Sequence, residues 1–252
     1  MPDVGTPGLR IYIATNARRD YPEGPGYLTL QTGTALSPVR FGQVCDDTGD
    51  SISALNPSFC ELTALYWIWK NDRSEFVSLT HHRRYFAPTH HSLRFGEHHV
   101  ASVDDFWELK QGCDILVPSP VKWLIPHTQI PQSGLQQYAE VHHPHDLFLA
   151  REELALQAPD YLDAFDYVMQ TNVLSHHNMF VARKAAIDEY CSWLFPILFA
   201  LEKIIPYSFY DGYQIRVFGY LAERLFNVWL AKNRRRYRIL YRFIVRTEAG
   251  IF

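Results

Sequence analysis

The run His81-His82-Arg83-Arg84-Tyr85-Phe86 sets two adjacent guanidiniums directly behind Phe76–Thr80 (FVSLT), a segment with the composition of a buried strand. Cations at the end of an inner strand call for an anion. A diphosphate suits them because a guanidinium grips phosphate oxygens as a fork; the alternative is that acidic residues of the fold pair with Arg83 and Arg84. Glu61 stands in an otherwise apolar helical run and needs a partner of its own. It is read either as a brace for Arg83 or Arg84 or as a catalytic carboxylate. A third candidate is the helix Gln214–Ala231. At 100° per residue, Val217, Phe218, Leu221, Leu225, Val228 and Trp229 share one side, and Arg216, Gly219, Tyr220, Glu223 and Asn227 share the other. Mid-helix Gly219 costs about 1 kcal/mol against alanine but allows a close approach there. The polar side can therefore line a pocket in which Glu223 takes a proton from a hydroxyl, unless Glu223 pairs with Arg216 or simply faces water.

These residues need elements to hold them. Leu9–Thr15 predicts a first buried strand that opens at Asn16, followed by an irregular stretch from Asp20 to Gly49 with a short strand near Leu28–Gln31. Asn56 and Pro57 predict the start of one helix running through Phe59 to Asn71, apolar on nearly every side and hence internal. A loop over Ala87–Val100, a short helix over Val103–Lys110 and a strand at Asp114–Val117 follow. The remaining chain predicts a mainly helical Gly134–Gln157, a helix over Tyr161–Met169, a strand at Asn178–Ala182, and a long helix Ile187–Ile204 interrupted or bent at Pro196. Alternation of this kind indicates an α/β fold: one domain, with a mainly parallel central sheet flanked by helices. Ligands in such sheets sit beyond the carboxyl ends of the strands, here the loops after Thr15, Thr80 and Val117.

The 252 residues include 47% hydrophobic and 15% aromatic side chains, enough for a packed core, and the net charge of −3 favours no nucleic-acid partner. The sequence has no apolar run of membrane-spanning length and no signal pattern, which predicts a cytoplasmic protein. Cys45, Cys60, Cys113 and Cys191 are too scattered for a zinc knuckle or a disulfide framework. Five histidine doublets do not define a metal site either, since adjacent side chains diverge.

Four ordered segments carry a family resemblance: Asp46–Asn71 (DDTGDSISALNPSFCELTALYWIWKN), Phe76–Phe86 (FVSLTHHRRYF), His177–Lys184 (HNMFVARK) and Arg216–Trp229 (RVFGYLAERLFNVW). Together they resemble a family of bacterial capsule, exopolysaccharide and O-antigen synthesis, long catalogued as a domain of unknown function. The resemblance implies a GT-A-like glycosyltransferase, with members that transfer galactofuranose from UDP-galactofuranose to a lipid-linked or oligosaccharide acceptor. The family's usual Cys-His-Tyr-Arg-Arg maps its histidine onto His81, with Thr80 and His82 as departures. Where many such enzymes carry a metal-binding Asp-x-Asp motif, this chain has the histidine–arginine run, so the expectation is that Arg83 and Arg84 neutralise the departing UDP and that no cofactor is required. A divalent ion on His81 or His82 with a nearby carboxylate remains the alternative.

The resemblance further implies donor contacts at Thr15, Asn16 and Asn56, donor positioning by His81, and inversion with Glu223 as base or Asp50 in its place. Glu61, Arg216, Tyr220 and Asn178 are expected as structural or pocket partners. The rival readings are a histidine-rich, metal-dependent phosphoester hydrolase and a non-catalytic carbohydrate-binding module. Residues 1–231 are read as the transferase domain, and 232–252 as a basic, aromatic extension that suits peripheral contact with anionic lipid or else is solvated surface charge.

Overall fold

The computed structural model describes residues 8–247. In chain order the strands are β1 (Leu9–Thr15), β2 (Tyr27–Gln31), β3 (Val44–Cys45), β4 (Phe76–His81), β5 (Arg84–Phe86), β6 (Ser92–Phe95), β7 (His98–Ala101), β8 (Ile115–Pro118), β9 (Val121–Lys122), β10 (Val173–Leu174), β11 (Phe180–Arg183), β12 (Ile239–Arg242) and β13 (Ile244–Arg246). The α-helices are α1 (Asn56–Phe59), α2 (Leu62–Asn71), α3 (Gly134–Val141), α4 (Pro144–Gln157), α5 (Leu162–Gln170), α6 (Lys184–Ile204) and α7 (Val217–Asn233). The main sheet runs β12-β8-β11-β4-β1-β2-β3, with β5 and β13 joined to it through β4. β11 is antiparallel to both of its neighbours, and the other members of that path run parallel to one another.

Strands buried on both faces read as nearly unbroken apolar runs, which is why Leu9–Thr15 and Phe76–Thr80 stand out in the sequence. Their side chains alternate between two cores. Tyr12, Val77, Leu79, Phe180 and Ala182 pack towards α2, α6 and α7. Ile11, Ile13, Phe76 and Val181 pack on the other face against Tyr85, Phe86, Val100 and Phe106. The expected α/β sheet flanked by helices is therefore present.

Several local expectations change. The helix expected from Asn56 to Asn71 is broken at Cys60 (φ 50°, ψ −127°) into α1 and α2. The Asn56 side chain sustains the break by donating Nδ2 to Cys60 O (2.8 Å) and Thr63 Oγ1 (3.2 Å), so it does not cap a continuous helix. The loop expected at Ala87–Val100 contains the β6–β7 hairpin, the helix expected at Val103–Lys110 is two short 3-10 turns, and Pro144 separates α3 from α4. Pro196 lies inside α6 without ending it.

The segment after 231, read as an extension, enters the sheet: β12 pairs in parallel with β8, and β13 pairs with β5. Arg242 reaches back to buried Asp105 (Nη1–Oδ2 2.9 Å), and Arg236 and Arg238 bind Glu189 Oε1 (2.6 Å) and Gln111 O (2.7 Å). A truncation after Leu230 would thus remove sheet strands as well as surface charge. Among the described residues no helix is long and apolar enough to cross a membrane.

Candidate functional site

β4 reverses through His82 and Arg83 straight into β5, which sets His81 opposite Arg84 at the carboxyl end of a central strand. The turn before β11 faces them. His81 Nε2 hydrogen-bonds the carbonyl of His177; since a carbonyl only accepts, the ring hydrogen sits on Nε2 and Nδ1 keeps its lone pair. Burial, opposed by Glu61 and aided by Arg84, holds the His81 pKa below the ordinary histidine value.

The two glutamates of the sequence reading meet this turn from different helices. Glu61, the residue before α2, accepts from Asn178 Nδ2 (2.7 Å), and the same amide donates to Gly219 O (3.1 Å). Glu223 accepts from the His177 backbone N–H (3.0 Å) and lies 3.5 Å from His176 Nδ1. Trp123 Nε1 donates to His176 Nε2, so Nδ1 is the nitrogen left to carry hydrogen towards Glu223. Burial by itself would raise the Glu223 pKa. The hydrogen bond from His176 and the fields of His176, His177 and Arg224 outweigh it and hold the carboxyl well below the carboxylate range. Glu223 is therefore paired with the histidine turn, and Arg216 is engaged elsewhere, through Nε with Cys60 Sγ at 3.2 Å.

Cys60, His177 and Asn178 all carry positive φ (50°, 86° and 48°), a region costing on the order of 1–3 kcal/mol for side-chain-bearing residues. Three such residues around one pair of carboxylates mark a place where geometry is held against local preference. Gly219 passes close by, but a Cβ there would meet Cys60 Cβ at 3.7 Å and Glu61 Oε1 at 4.0 Å, ordinary contacts. Gly219→Ala should therefore fold and gain about 0.5–1 kcal/mol of stability, measurable by urea denaturation.

Arg84 is half-buried, and its Nε is buried without a hydrogen-bond partner. Desolvation, then the charges of Arg246 and Arg83, push its pKa down, against the pull of Glu223 and Glu61. Arg246 is the residue that the sequence reading missed: it lies opposite Arg84 in the β5–β13 register. Arg83 is exposed, and its carbonyl accepts from Thr247 N (3.1 Å).

Thr247 also lines a cleft of about 920 Å³ over the face of β1 and β2 turned away from α2, together with Arg18, Arg19, Tyr21, Phe41 and Phe95. Neither His81 nor Glu223 lines it; Thr247, the residue after β13, does. Thr15 is buried beside the cleft, donating Oγ1 to Ala17 O (2.9 Å) with Tyr21 OH 2.7 Å away, and Asn16 is exposed. Asp50 is set apart. It accepts from Tyr66 OH (3.0 Å) and its backbone binds Asn71, at the end of α2 far from Glu61, a helix about 15 Å long. Tyr220 lies one turn before Glu223, its ring stacked on His142.

Among the described residues no three His, Cys, Asp or Glu side chains are grouped to hold a metal ion. Three of the five histidine doublets lie away from this turn: the backbones of His90 and His91 bind Asp105, His98 and His99 lie on β7, and His142 joins Tyr220. Burial lowers His177 to about 3 and His142 to about 4, against an ordinary 6.5. A depressed histidine favours the folded state above its unfolded pKa, because below it the unfolded chain binds protons that the native chain refuses. Stability should fall as pH drops from 6.5 towards 4, by about 2 kcal/mol per histidine between pH 7 and 5. Thermal denaturation at the two pH values checks this, and His142→Phe should flatten part of the dependence.

Fold and site together define an α/β domain with arginines and carboxylates gathered at the carboxyl edge of a mainly parallel sheet, where ligands of such sheets usually sit. The chain belongs to the DUF4422 family, a domain of unknown function, whose model matches residues 10–234. The structure is also similar to the apo structure of the WbbM bifunctional glycosyltransferase, with a TM-score of 0.83 and 26% sequence identity over 97% of this chain and 46% of that one. This chain thus spans less than half the length of that protein. No curated protein matches it significantly.

Proposed function

We propose that the chain is a glycosyltransferase of bacterial surface-polysaccharide synthesis that moves a sugar from a nucleotide donor to a glycan acceptor. The observation that carries this is Arg84, a half-buried guanidinium with an unpartnered Nε, flanked by Arg83 and Arg246 and facing Glu61 and Glu223. A guanidinium Nε left without a hydrogen-bond partner beside two further arginines suits a diphosphate. The likeness to a bifunctional glycosyltransferase supports the same reading.

In this proposal the nucleoside enters the cleft beside Tyr21 and Phe41, and the diphosphate meets Arg83, Arg84 and Arg246. His81 orients the donor sugar through the Nδ1 left free by its bond to His177. Glu223, ionised throughout the physiological range, accepts the acceptor proton as the new bond forms, and attack from its side inverts the anomeric carbon. Asp50 is too far along α2 to serve in its stead. Thr15 and Asn16 shape the entrance, and Asn56 acts through the Cys60 break.

The family resemblance favours UDP-galactofuranose as donor, no divalent ion, and a lipid-linked acceptor. Arg234 and Arg235, exposed beside the sheet, suit contact with an anionic membrane surface. A screen of UDP-galactofuranose, UDP-galactopyranose and UDP-glucose for UDP release, with and without chelator, tests the reading. Release from the first alone, unchanged by chelator, is the expected result; chelator-sensitive phosphoester hydrolysis would replace the transferase by a metallohydrolase, and absence of turnover with glycan bound would leave a binding module.

A further inference from the structure

Glu223 is held by donors from two consecutive residues, and one of those donors can change. Its Oε1 accepts from the backbone N–H of His177 (3.0 Å), which has no alternative state. Its Oε2 lies 3.5 Å from Nδ1 of the buried His176 ring, and a ring nitrogen donates only when it carries the hydrogen. Two side chains press opposite choices on that ring. Trp123 Nε1 donates to His176 Nε2 at 2.6 Å, which puts the hydrogen on Nδ1 and aims it at Glu223. Arg224 Nη1 lies 3.4 Å from Nδ1; a guanidinium only donates, so it favours the opposite tautomer, with Nδ1 bare and turned against the carboxylate. The indole contact is much the shorter and decides the matter, while Arg224 is satisfied through Nη2 by Gln137 Oε1.

Trp123 reaches the site from the segment after β9, and its backbone fixes it there. Its N–H donates to Asn172 O (2.7 Å), and its carbonyl accepts from Gln132 N (3.1 Å) and Asn172 Nδ2 (3.3 Å). The indole meets the His176 ring nearly edge to face, with centroids 5.1 Å apart. From α7, Asn227 accepts the Ser175 N–H on Oδ1 (2.9 Å) and gives Nδ2 to Ser175 O (2.6 Å) and Glu223 O (2.7 Å), so the histidine turn cannot slide along the helix. With the ring held from both sides, what remains to be set is which nitrogen bears the hydrogen.

We infer that Trp123 is a positioning residue for Glu223: its indole N–H sets the tautomer of His176, and through it the second hydrogen bond that holds the carboxylate in place to accept a proton. The part this plays in transfer rests on the reading of Glu223 as the base, but the tautomer and the titration of the carboxyl can be read without turnover. The charged and titratable groups facing Glu223 are His176 and His177 from the turn, Arg224 of α7, His81 of β4, Arg84 of β5, Cys60 before α2 and His142 at the end of α3. Among them Trp123 acts on His176.

Nitrogen-15 NMR of the full chain labelled in its histidine rings reads the tautomer, with the His176 signals assigned by their loss in His176→Asn. The wild type should carry hydrogen on His176 Nδ1, and Trp123→Phe, which keeps a ring but no N–H, should move it to Nε2. Carbon-13 NMR of the glutamate carboxyls between about pH 4 and 7, with Glu223 assigned by Glu223→Gln, should show it untitrated in the wild type and taking up a proton in Trp123→Phe, because burial raises its pKa once the His176 donor is lost. In the UDP-release assay Trp123→Phe should lose about tenfold in kcat at pH 7 with the donor KM kept within about twofold, and the loss should grow as pH falls. His176→Asn puts an amide nitrogen where Nδ1 stood and has no tautomer to set, so adding Trp123→Phe to it should cost nothing further; an indole that merely braced the loop would cost the same in both backgrounds.

Hydrogen on His176 Nε2 in the wild type, or on Nδ1 in both proteins, overturns the inference. A Glu223 carboxyl that titrates alike in the two proteins overturns it as well, as does an unchanged kcat in Trp123→Phe. A wild type that turns over no nucleotide sugar, with the NMR results as expected, keeps the hold of the indole on Glu223 and removes the transferase.

Discussion

Arg84→Ala is expected to lower UDP release from the nucleotide-sugar donor by about 10²–10³-fold while leaving the melting temperature unchanged or slightly raised. The two halves of that result have one cause. In the empty protein the Arg84 charge is disfavoured by desolvation and by Arg246 and Arg83, and its Nε donates to nothing. Removing it relieves a strain on the fold and, on the proposed reading, takes from the leaving diphosphate one of its hydrogen-bond donors. A brace for the sheet would behave in the opposite way, losing stability first and activity only in proportion. Circular dichroism melts alongside a UDP-release assay distinguish the outcomes, and full activity in Arg84→Ala would remove the central role assigned to it.

Arg242→Ala should have the largest effect on stability, a loss of about 3–5 kcal/mol, because it strands a buried carboxylate without its counter-ion. Asp105 has no solvent exposure, and Arg242 is nearly as deep. The backbone N–H groups of Thr89, His90 and His91 also point at Asp105, so part of its charge stays compensated. They contribute to an Asp105 pKa below the usual range, against the opposing effect of burial. The melting temperature is expected to fall by about 10 °C for a domain of this size, measured by calorimetry at pH 7. A fall of only 1–2 °C would mean that those three amides suffice and that the β12 arginine is incidental.

How much of this was legible in the sequence depended on whether the cause was local. Buried strands such as Leu9–Thr15 and Phe76–Thr80 announce themselves by composition, and the apolar side of α7 by its period. The break at Cys60 does not, because it is sustained by the side chain of Asn56 four residues earlier in a run that otherwise reads as one helix. Glu61 and Asn178 were both singled out, but their contact across 117 positions has no trace in spacing. Arg246 was overlooked for the same reason: only the pairing of β13 with β5 brings it beside Arg84. Glu223 was recognisable as a carboxylate on a polar helix side, whereas its low pKa comes from His176 and His177, whose turn becomes meaningful only once α7 packs against it.

Because β13 supplies Arg246 and β12 supplies the partner of Asp105, both of these contributions leave the ribosome after α7. A nascent chain that has emerged as far as α7 already holds both glutamates and the histidine turn, but not the third guanidinium. On the proposed reading, the cation cluster is completed only after the carboxylate wall is in place, so a chain cut short after α7 would lack both two strands and part of the charge that meets a diphosphate.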